Sequence, residues 1–259
     1  MFGKLPVRLI ILSSMLSLAP KAYGDRNELT SYLSGGGRET FSALVMHKGE
    51  TLYQLPTDGS RSQRKYVAWS LAKAVVNALV EAHIQKGLIP NIDVTLGNIG
   101  MSDVRLAHAL GMSTCRRWKE VYDDNIIQSD PIAMLYGEGY QDTASYVTER
   151  PKLRGCKPGE DWKYSSGNSN LVMAYLKALR PSGYDNMPWD FLFNPLRMSQ
   201  TTLERDLSGT FVGSSFLFST ARDMASLGML YLDGGRVGDQ QVFSKEWAEL
   251  AGNKTPTKA

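Results

Sequence analysis

From Ser70 the chain changes its hydrophobic period. Ala72, Val75, Val76, Leu79, Val80, His83 and Ile84 recur at spacings of three and four, which gathers them on one side of an α-helix. Gly87 follows where a helix C-terminus favours left-handed backbone. Upstream the period is two: Phe41 to Leu55 reads as a hairpin. There Ala43 and Val45 alternate with Leu44 and Met46, a Lys48-Gly49-Glu50 turn follows, and Thr51-Leu52-Tyr53 resumes the extended pattern. A chain carrying both periods must pack helices on sheet. With 259 residues, 42% hydrophobic and 21% charged, it can bury a core without staples, as one large domain or two interleaved ones.

The remaining pattern is mixed. Segments Val104 to Leu110 and Asp142 to Glu149 read as short helices inside a loop-rich middle third, Ser102 to Lys157, with no internal repeat. A second long helix is expected from Leu171 through Leu179, stopped by Pro181-Ser182-Gly183. Phe216 to Ser219 reads as a strand, after which Ser219 or Thr220 can cap a helix through Ala221, Met224, Leu227 and Leu230. Gly234-Gly235 is a turn. His83 lies on the apolar helix side with neither His47 nor His108 at metal-ligand spacing. It is expected in the core, and no metal or cofactor is implied.

The N-terminus carries a different message. Lys4 and Arg8 precede an apolar run from Leu9 to Ala19, and Ala22-Tyr23-Gly24 supplies small residues before Asp25, the layout of a secretory signal over 1–24. The run is shorter than the roughly 20 residues a spanning helix needs. The expectation is therefore a cleaved signal, a periplasmic or secreted protein and no stable membrane anchor, the alternative being an uncleaved one. Of 29 Lys and Arg, three fall in the first 24 residues, which hold no acid, leaving 26 basic against 26 acidic residues. That balance gives no reason to expect nucleic acid as a partner. Cys115 and Cys156, 41 residues apart, exclude a CxxC motif. They permit one disulfide or two buried thiols.

The sequence holds no GxSxG, HExxH, P-loop or GxGxxG. It does hold Ser-x-x-Lys twice, at Ser62 to Lys65 and Ser70 to Lys73, a pattern expected about once by chance in a chain of this composition. Context separates the copies. Ser62 lies in a charged run, whereas Ser70 follows Trp69 and opens the longest apolar-periodic helix. Positions i and i+3 of a helix are surface neighbours, so Lys73 can reach the Ser70 hydroxyl. The unpaired N–H groups at a helix start favour a serine alkoxide, and a neutral amine beside a hydroxyl is the requirement for an activated nucleophile. Trp162-Lys163-Tyr164-Ser165-Ser166-Gly167-Asn168 adds a Tyr-x-Ser at a loop-to-helix junction, able to present a phenol and a hydroxyl to the same cleft.

Several ordered segments together resemble the serine hydrolases of the β-lactamase and penicillin-binding type. The likeness is strongest to the branch related to class C β-lactamases, carboxylesterases and 6-aminohexanoate-dimer hydrolases. These segments are Ala68-Trp69-Ser70-Leu71-Ala72-Lys73, Pro158-Gly159-x-x-Trp162-x-Tyr164-Ser165-Ser166-Gly167, Leu192-Phe193-x-Pro195-Leu196-x-Met198, and Gly213-Ser214-Ser215-Phe216 leading into Thr220 to Asp223, within a likeness running from about Phe41 to Thr257. The resemblance implies an α+β fold, β-lactamase/transpeptidase-like: an antiparallel sheet flanked by helices, with an inserted all-helical subdomain at about 102–210, over residues 25–259. It implies Ser70 as acylated nucleophile, Lys73 as proton acceptor, and Tyr164 as the hydroxyl serving leaving group and deacylating water. Ser166 and Ser215 would bind substrate, and the Ser70 backbone N–H would supply half of an oxyanion hole. The family's late Lys/His-x-Gly element has only a weak echo in Lys254-Thr255-Pro256, so the chain is expected to lack the C-terminal strands.

The function these residues imply is an exported serine hydrolase acting on an ester, amide or lactam in a small or peptide-like substrate. Two alternatives stand beside it. One is a non-catalytic relative, or an inactive truncated one, holding a peptide or cell-wall fragment in the same cleft. The other is a Ser-Lys peptidase of another fold, which would not need Tyr164.

Overall fold

A computed structural model describes residues 26–35, 40–56, 63–122 and 126–252. The signal segment 1–24, Ser62 and the Lys254 to Pro256 echo lie outside the described residues. The elements run α1 (Arg26–Ser34), β1 (Ala43–His47), β2 (Glu50–Leu55), β3 (Tyr66–Val67), α2 (Ala72–Gln85), β4 (Thr95–Leu96), β5 (Met101–Arg105), α3 (Leu106–Leu110), α4 (Asp130–Tyr136), α5 (Thr143–Thr148), α6 (Ser166–Leu179), β6 (Thr202–Leu203), β7 (Leu217–Ser219), α7 (Ala221–Leu232), β8 (Arg236–Val237), β9 (Gln240–Gln241) and α8 (Lys245–Ala251). Among the described residues no helix is long and apolar enough to cross a membrane.

The centre is α2. Its apolar face is completely enclosed, with Val75, Ala78, Leu79, Val80 and Ala82 at 0% exposure, each large aliphatic contributing about 1.5–3 kcal/mol of burial. The polar positions are also claimed. Asn77 Oδ1 accepts from Tyr231 of α7 at 2.8 Å and from Trp247 Nε1 of α8 at 2.9 Å, while Glu81 accepts from Ser244 at 2.8 Å. Burial pushes the Glu81 carboxyl above the ordinary range against that bond. His83 is a core residue, its Nδ1 2.6 Å from the Leu79 carbonyl. The helix ends on Lys86, and Gly87 takes φ +70°.

Strand pairing is antiparallel and local. β1 and β2 form the expected hairpin, with Lys48 and Gly49 both at positive φ in the turn, the backbone a tight two-residue hairpin requires. It is tied to α7 through Arg222, which donates to Thr51 and Gln54. β7 lies between β3 and β6, and Ala68 N–H continues that pairing to the Leu217 carbonyl at 2.7 Å. This bond fixes the turn after β3 against the segment before β7. The sheet and helix content gives the α+β, β-lactamase/transpeptidase-like fold that the motifs imply.

Two boundaries differ from the sequence reading. Met101 to Arg105, whose last two residues read as helix start, pairs as a strand with Thr95 and Leu96, and helix begins only at Leu106. The helix expected from Leu171 starts five residues earlier, at Ser166. Ser166, Asn168, Ser169 and Asn170 look like a turn by composition, yet all four are buried. Three of them take tertiary partners: Thr114 donates to Asn168 at 2.9 Å, Ser214 N–H donates to Asn170 at 3.0 Å, and Glu120 holds Ser166. Tertiary hydrogen bonds outweigh weak helix propensity here.

Candidate active site

Ser70 stands in a single 3-10 turn, Trp69–Leu71, that runs directly into α2. Trp69 occupies left-handed backbone at φ +47°, a conformation that costs a bulky residue on the order of 1–3 kcal/mol. The strain turns the chain sharply out of β3 and leaves Ser70 exposed at the head of the buried helix. Lys73, one turn on, lies with Nζ 3.2 Å from Ser70 Oγ.

Tyr164 comes from the other side. Its hydroxyl donates to Ser70 Oγ at 2.9 Å, and its ring lies 5.2 Å from Lys73 Nζ. The segment carrying it is stitched to residues 112–117 by backbone bonds. Lys163 N–H donates to Met112, Gly159 N–H to Ser113, Leu153 N–H to Cys115 and Arg117 N–H to Pro151, at 2.8–3.1 Å. A disulfide joins Cys115 to Cys156, with Cα atoms 5.7 Å apart. Among the described residues the one group of three metal-capable side chains, Cys115, Cys156 and Asp161, includes both half-cystines and therefore offers no thiolate pair.

Lys73 has two further neighbours. Ser166 Oγ lies 3.3 Å away and the Ser214 carbonyl 3.0 Å away. That carbonyl is delivered by close packing at Gly213, where a Cβ would stand 2.5 Å from Val76 Cγ2 and 2.7 Å from Met173 Cγ. Only a glycine lets the 213–215 segment pass between α2 and α6. Of the five expected site residues, Ser70, Lys73, Tyr164 and Ser166 therefore meet. Ser215 is buried and its hydroxyl pairs with that of Ser214 at 3.0 Å, so the 214–215 segment meets Lys73 through the Ser214 main chain.

One acidic group was absent from the sequence reading. Glu120 accepts from Ser166 N–H at 2.9 Å, from Ser166 Oγ at 2.6 Å, from Tyr122 at 2.6 Å and from the Trp118 indole. Its carboxylate thus serves the first N–H of α6, a position where an anion suits both the unpaired donor and the helix dipole. The available signal was the alternation Trp118, Glu120, Tyr122, which in extended chain puts three side chains on one side. Around Ser70, Trp69, Tyr136 and Trp162 are 48%, 61% and 40% exposed, and Phe216 packs against the first two, tilted to Trp69 and edge-on to Tyr136.

The family model described as Beta-lactamase matches residues 26–259. Among solved structures, a provisionally assigned 6-aminohexanoate-dimer hydrolase from Bacillus anthracis superposes with TM-score 0.73 at 16% identity, covering 87% of this chain and 62% of that one. The octameric penicillin-binding protein homologue from Pyrococcus abyssi gives 0.61 at 16%, covering 80% and 55%. A penicillin-binding protein from Bacillus halodurans gives 0.60 at 11%, covering 80% and 73%. This chain thus spans less than two thirds of the length of the first two. No curated protein matches it.

Proposed function

The chain belongs to the beta-lactamase family, and on that premise we propose that it is an exported serine hydrolase that cleaves an ester, amide or lactam through a Ser70 acyl-enzyme. The observation that carries the proposal is the contact of one hydroxyl with two proton-handling groups: Ser70 Oγ lies 3.2 Å from Lys73 Nζ and 2.9 Å from the Tyr164 hydroxyl. Both distances are within the reach required for proton transfer. Export rests on the residues of the 1–24 segment and is supported by the Cys115–Cys156 disulfide, a bond that persists in oxidising compartments.

The chemistry follows from the contacts. Lys73, as free amine, takes the Ser70 proton while Oγ bonds to the substrate carbonyl carbon, and the carbonyl oxygen becomes an oxyanion beside the Ser70 N–H. Collapse breaks the bond to the leaving group, which receives a proton from Tyr164. The phenolate recovers it from the Lys73 ammonium. In deacylation Tyr164, its proton passed to Lys73, takes a proton from water as the water oxygen bonds to the acyl carbon; collapse then breaks the bond to Ser70 Oγ, which receives its proton back from Lys73, and the acid is released. The general-base step is typically worth about 10²–10⁴-fold.

The test combines a fluorophosphonate probe with p-nitrophenyl butyrate, whose short acyl chain suits an aromatic-rimmed mouth. The expected result is probe at Ser70 by peptide mapping, and ester hydrolysis that Ser70→Ala abolishes. Probe on a different serine, or hydrolysis unchanged in Ser70→Ala, overturns the proposal. Specific binding of a penicillin or peptide that survives Ser70→Ala without turnover identifies the non-catalytic alternative instead.

A further inference from the structure

We infer that Glu120 is a positioning residue that sets the direction of the proton relay: it takes the Ser166 hydroxyl proton, so that Ser166 can only accept from Lys73 and the Lys73 lone pair is left facing Ser70. The inference rests on the reading of Ser70 as nucleophile and Lys73 as its base.

Donors and acceptors at these contacts fix the direction of each link. An ionised carboxylate only accepts, and the Ser166 Oγ to Glu120 Oε1 distance of 2.6 Å is that of a hydroxyl donating to an anion. The single Ser166 proton is thereby committed. At its contact with Lys73 the Ser166 oxygen must accept, as the Ser214 carbonyl also must. A neutral amine has two N–H bonds and one lone pair. With both N–H bonds directed to Ser166 and Ser214, the lone pair falls on the third neighbour, Ser70 Oγ. The chain then has one polarity: Tyr164 donates to Ser70, Ser70 to Lys73, Lys73 to Ser166 and Ser166 to Glu120. After transfer the ammonium has three N–H bonds for the same three neighbours, and no group has to turn.

Replacing the carboxylate by an amide reverses one link. Ser166 N–H and the Trp118 indole N–H, both obligate donors, meet at Oε2. In Glu120→Gln the amide oxygen must stand there, which aims the NH2 at Ser166 Oγ. The two amide N–H bonds then serve both hydroxyls that met at Oε1, Tyr122 and Ser166; the Ser166 hydroxyl, now accepting from Gln, turns its own proton to Lys73 and occupies the lone pair needed by Ser70.

The experiment measures the rate of Ser70 labelling by a fluorophosphonate in the full chain and in Glu120→Gln, Ser166→Ala and the double variant. Glu120→Gln is expected to label about 10²-fold more slowly, the lower range of a lost general base. The decisive result is the double variant. Deleting the misdirected hydroxyl frees the lone pair, so Glu120→Gln/Ser166→Ala labels faster than Glu120→Gln alone. A merely structural or purely electrostatic role makes the double variant the slowest of the four, and that result overturns the inference, as does wild-type labelling in Glu120→Gln. Should Glu120→Gln fail to fold by circular dichroism, Glu120→Ala with and without Ser166→Ala gives the same comparison, because alanine also leaves the hydroxyl unclaimed. Absence of label at Ser70 in the wild type removes the hydrolase reading itself and is distinguishable from these outcomes.

Discussion

Breaking the disulfide separates two ways of holding the Tyr164 segment. The perturbation is Cys115→Ser with Cys156→Ser, which opens a loop of 41 residues. In the chain-entropy account the bond restrains the unfolded ensemble by about 4 kcal/mol for a loop of this length. For a chain of this size that corresponds to a fall in melting temperature of roughly 8–16 °C. The folded geometry has independent support: the four backbone bonds from residues 151–163 to 112–117, at 2.8–3.1 Å, do not involve the sulfurs. The expected outcome is therefore a large loss of thermal stability, read by differential scanning calorimetry, with Ser70 labelling by fluorophosphonate at 25 °C close to that of the wild type. A fall of less than roughly 3 °C refutes the loop-entropy reasoning. Loss of labelling in a variant still folded at 25 °C refutes the claim that the backbone bonds suffice.

Three further outcomes follow from particular contacts. Tyr164→Phe is expected to lower p-nitrophenyl butyrate turnover by about 10²–10⁴-fold without lowering the melting temperature, since the phenol donates to Ser70 and the ring remains; a wild-type rate favours a Ser-Lys mechanism that dispenses with the phenol. Gly213→Ala forces a methyl against Val76 and Met173, and should cost about 1–3 kcal/mol by urea unfolding while slowing Ser70 labelling as the Ser214 carbonyl shifts. Burial lowers the His83 pKa from 6.5 to about 4, opposed by its bond to Leu79 and aided by Arg180 and Lys86. The unfolded chain therefore binds the extra proton first as pH falls, so stability is full above about 6.5 and declines by roughly 3 kcal/mol toward pH 4. The decline attributable to this group should be missing in His83→Leu when urea midpoints are compared at pH 7 and 4.5.

How far the residues announced this arrangement depends on whether local pattern or tertiary contact decides each one. The α2 helix was legible because Val75, Val76, Leu79 and Val80 carry its period and Gly87 its end, and Ser70 and Lys73 followed as neighbours at its head. The β1–β2 hairpin was legible from strict alternation and a Lys48-Gly49 turn. The start of α6 was hidden, because Ser166, Asn168 and Asn170 form helix only through partners from distant segments: Glu120, Thr114 and Ser214. Val104 and Arg105 misled because the apolar spacing of Val104 and Leu106 fits helix and strand alike until Thr95 supplies a pairing edge to Arg105. Glu120 lay in a charged stretch where only the short Trp118, Glu120, Tyr122 alternation hinted at it, and the donors that converge on it come partly from a residue 46 positions away.

In the proposed reaction Ser70, Lys73 and Tyr164 act on one carbonyl. A crystal structure of the chain soaked with a phenylboronic acid tests it most directly, because trivalent boron bonded to a serine oxygen takes the tetrahedral shape of the intermediate. The expected result is boron bonded to Ser70 Oγ, Lys73 Nζ within hydrogen-bond distance of that oxygen, and the Tyr164 hydroxyl within the same reach of a boronate oxygen. Boron on another residue, or a Tyr164 hydroxyl too distant to touch the adduct directly or through one water, contradicts it.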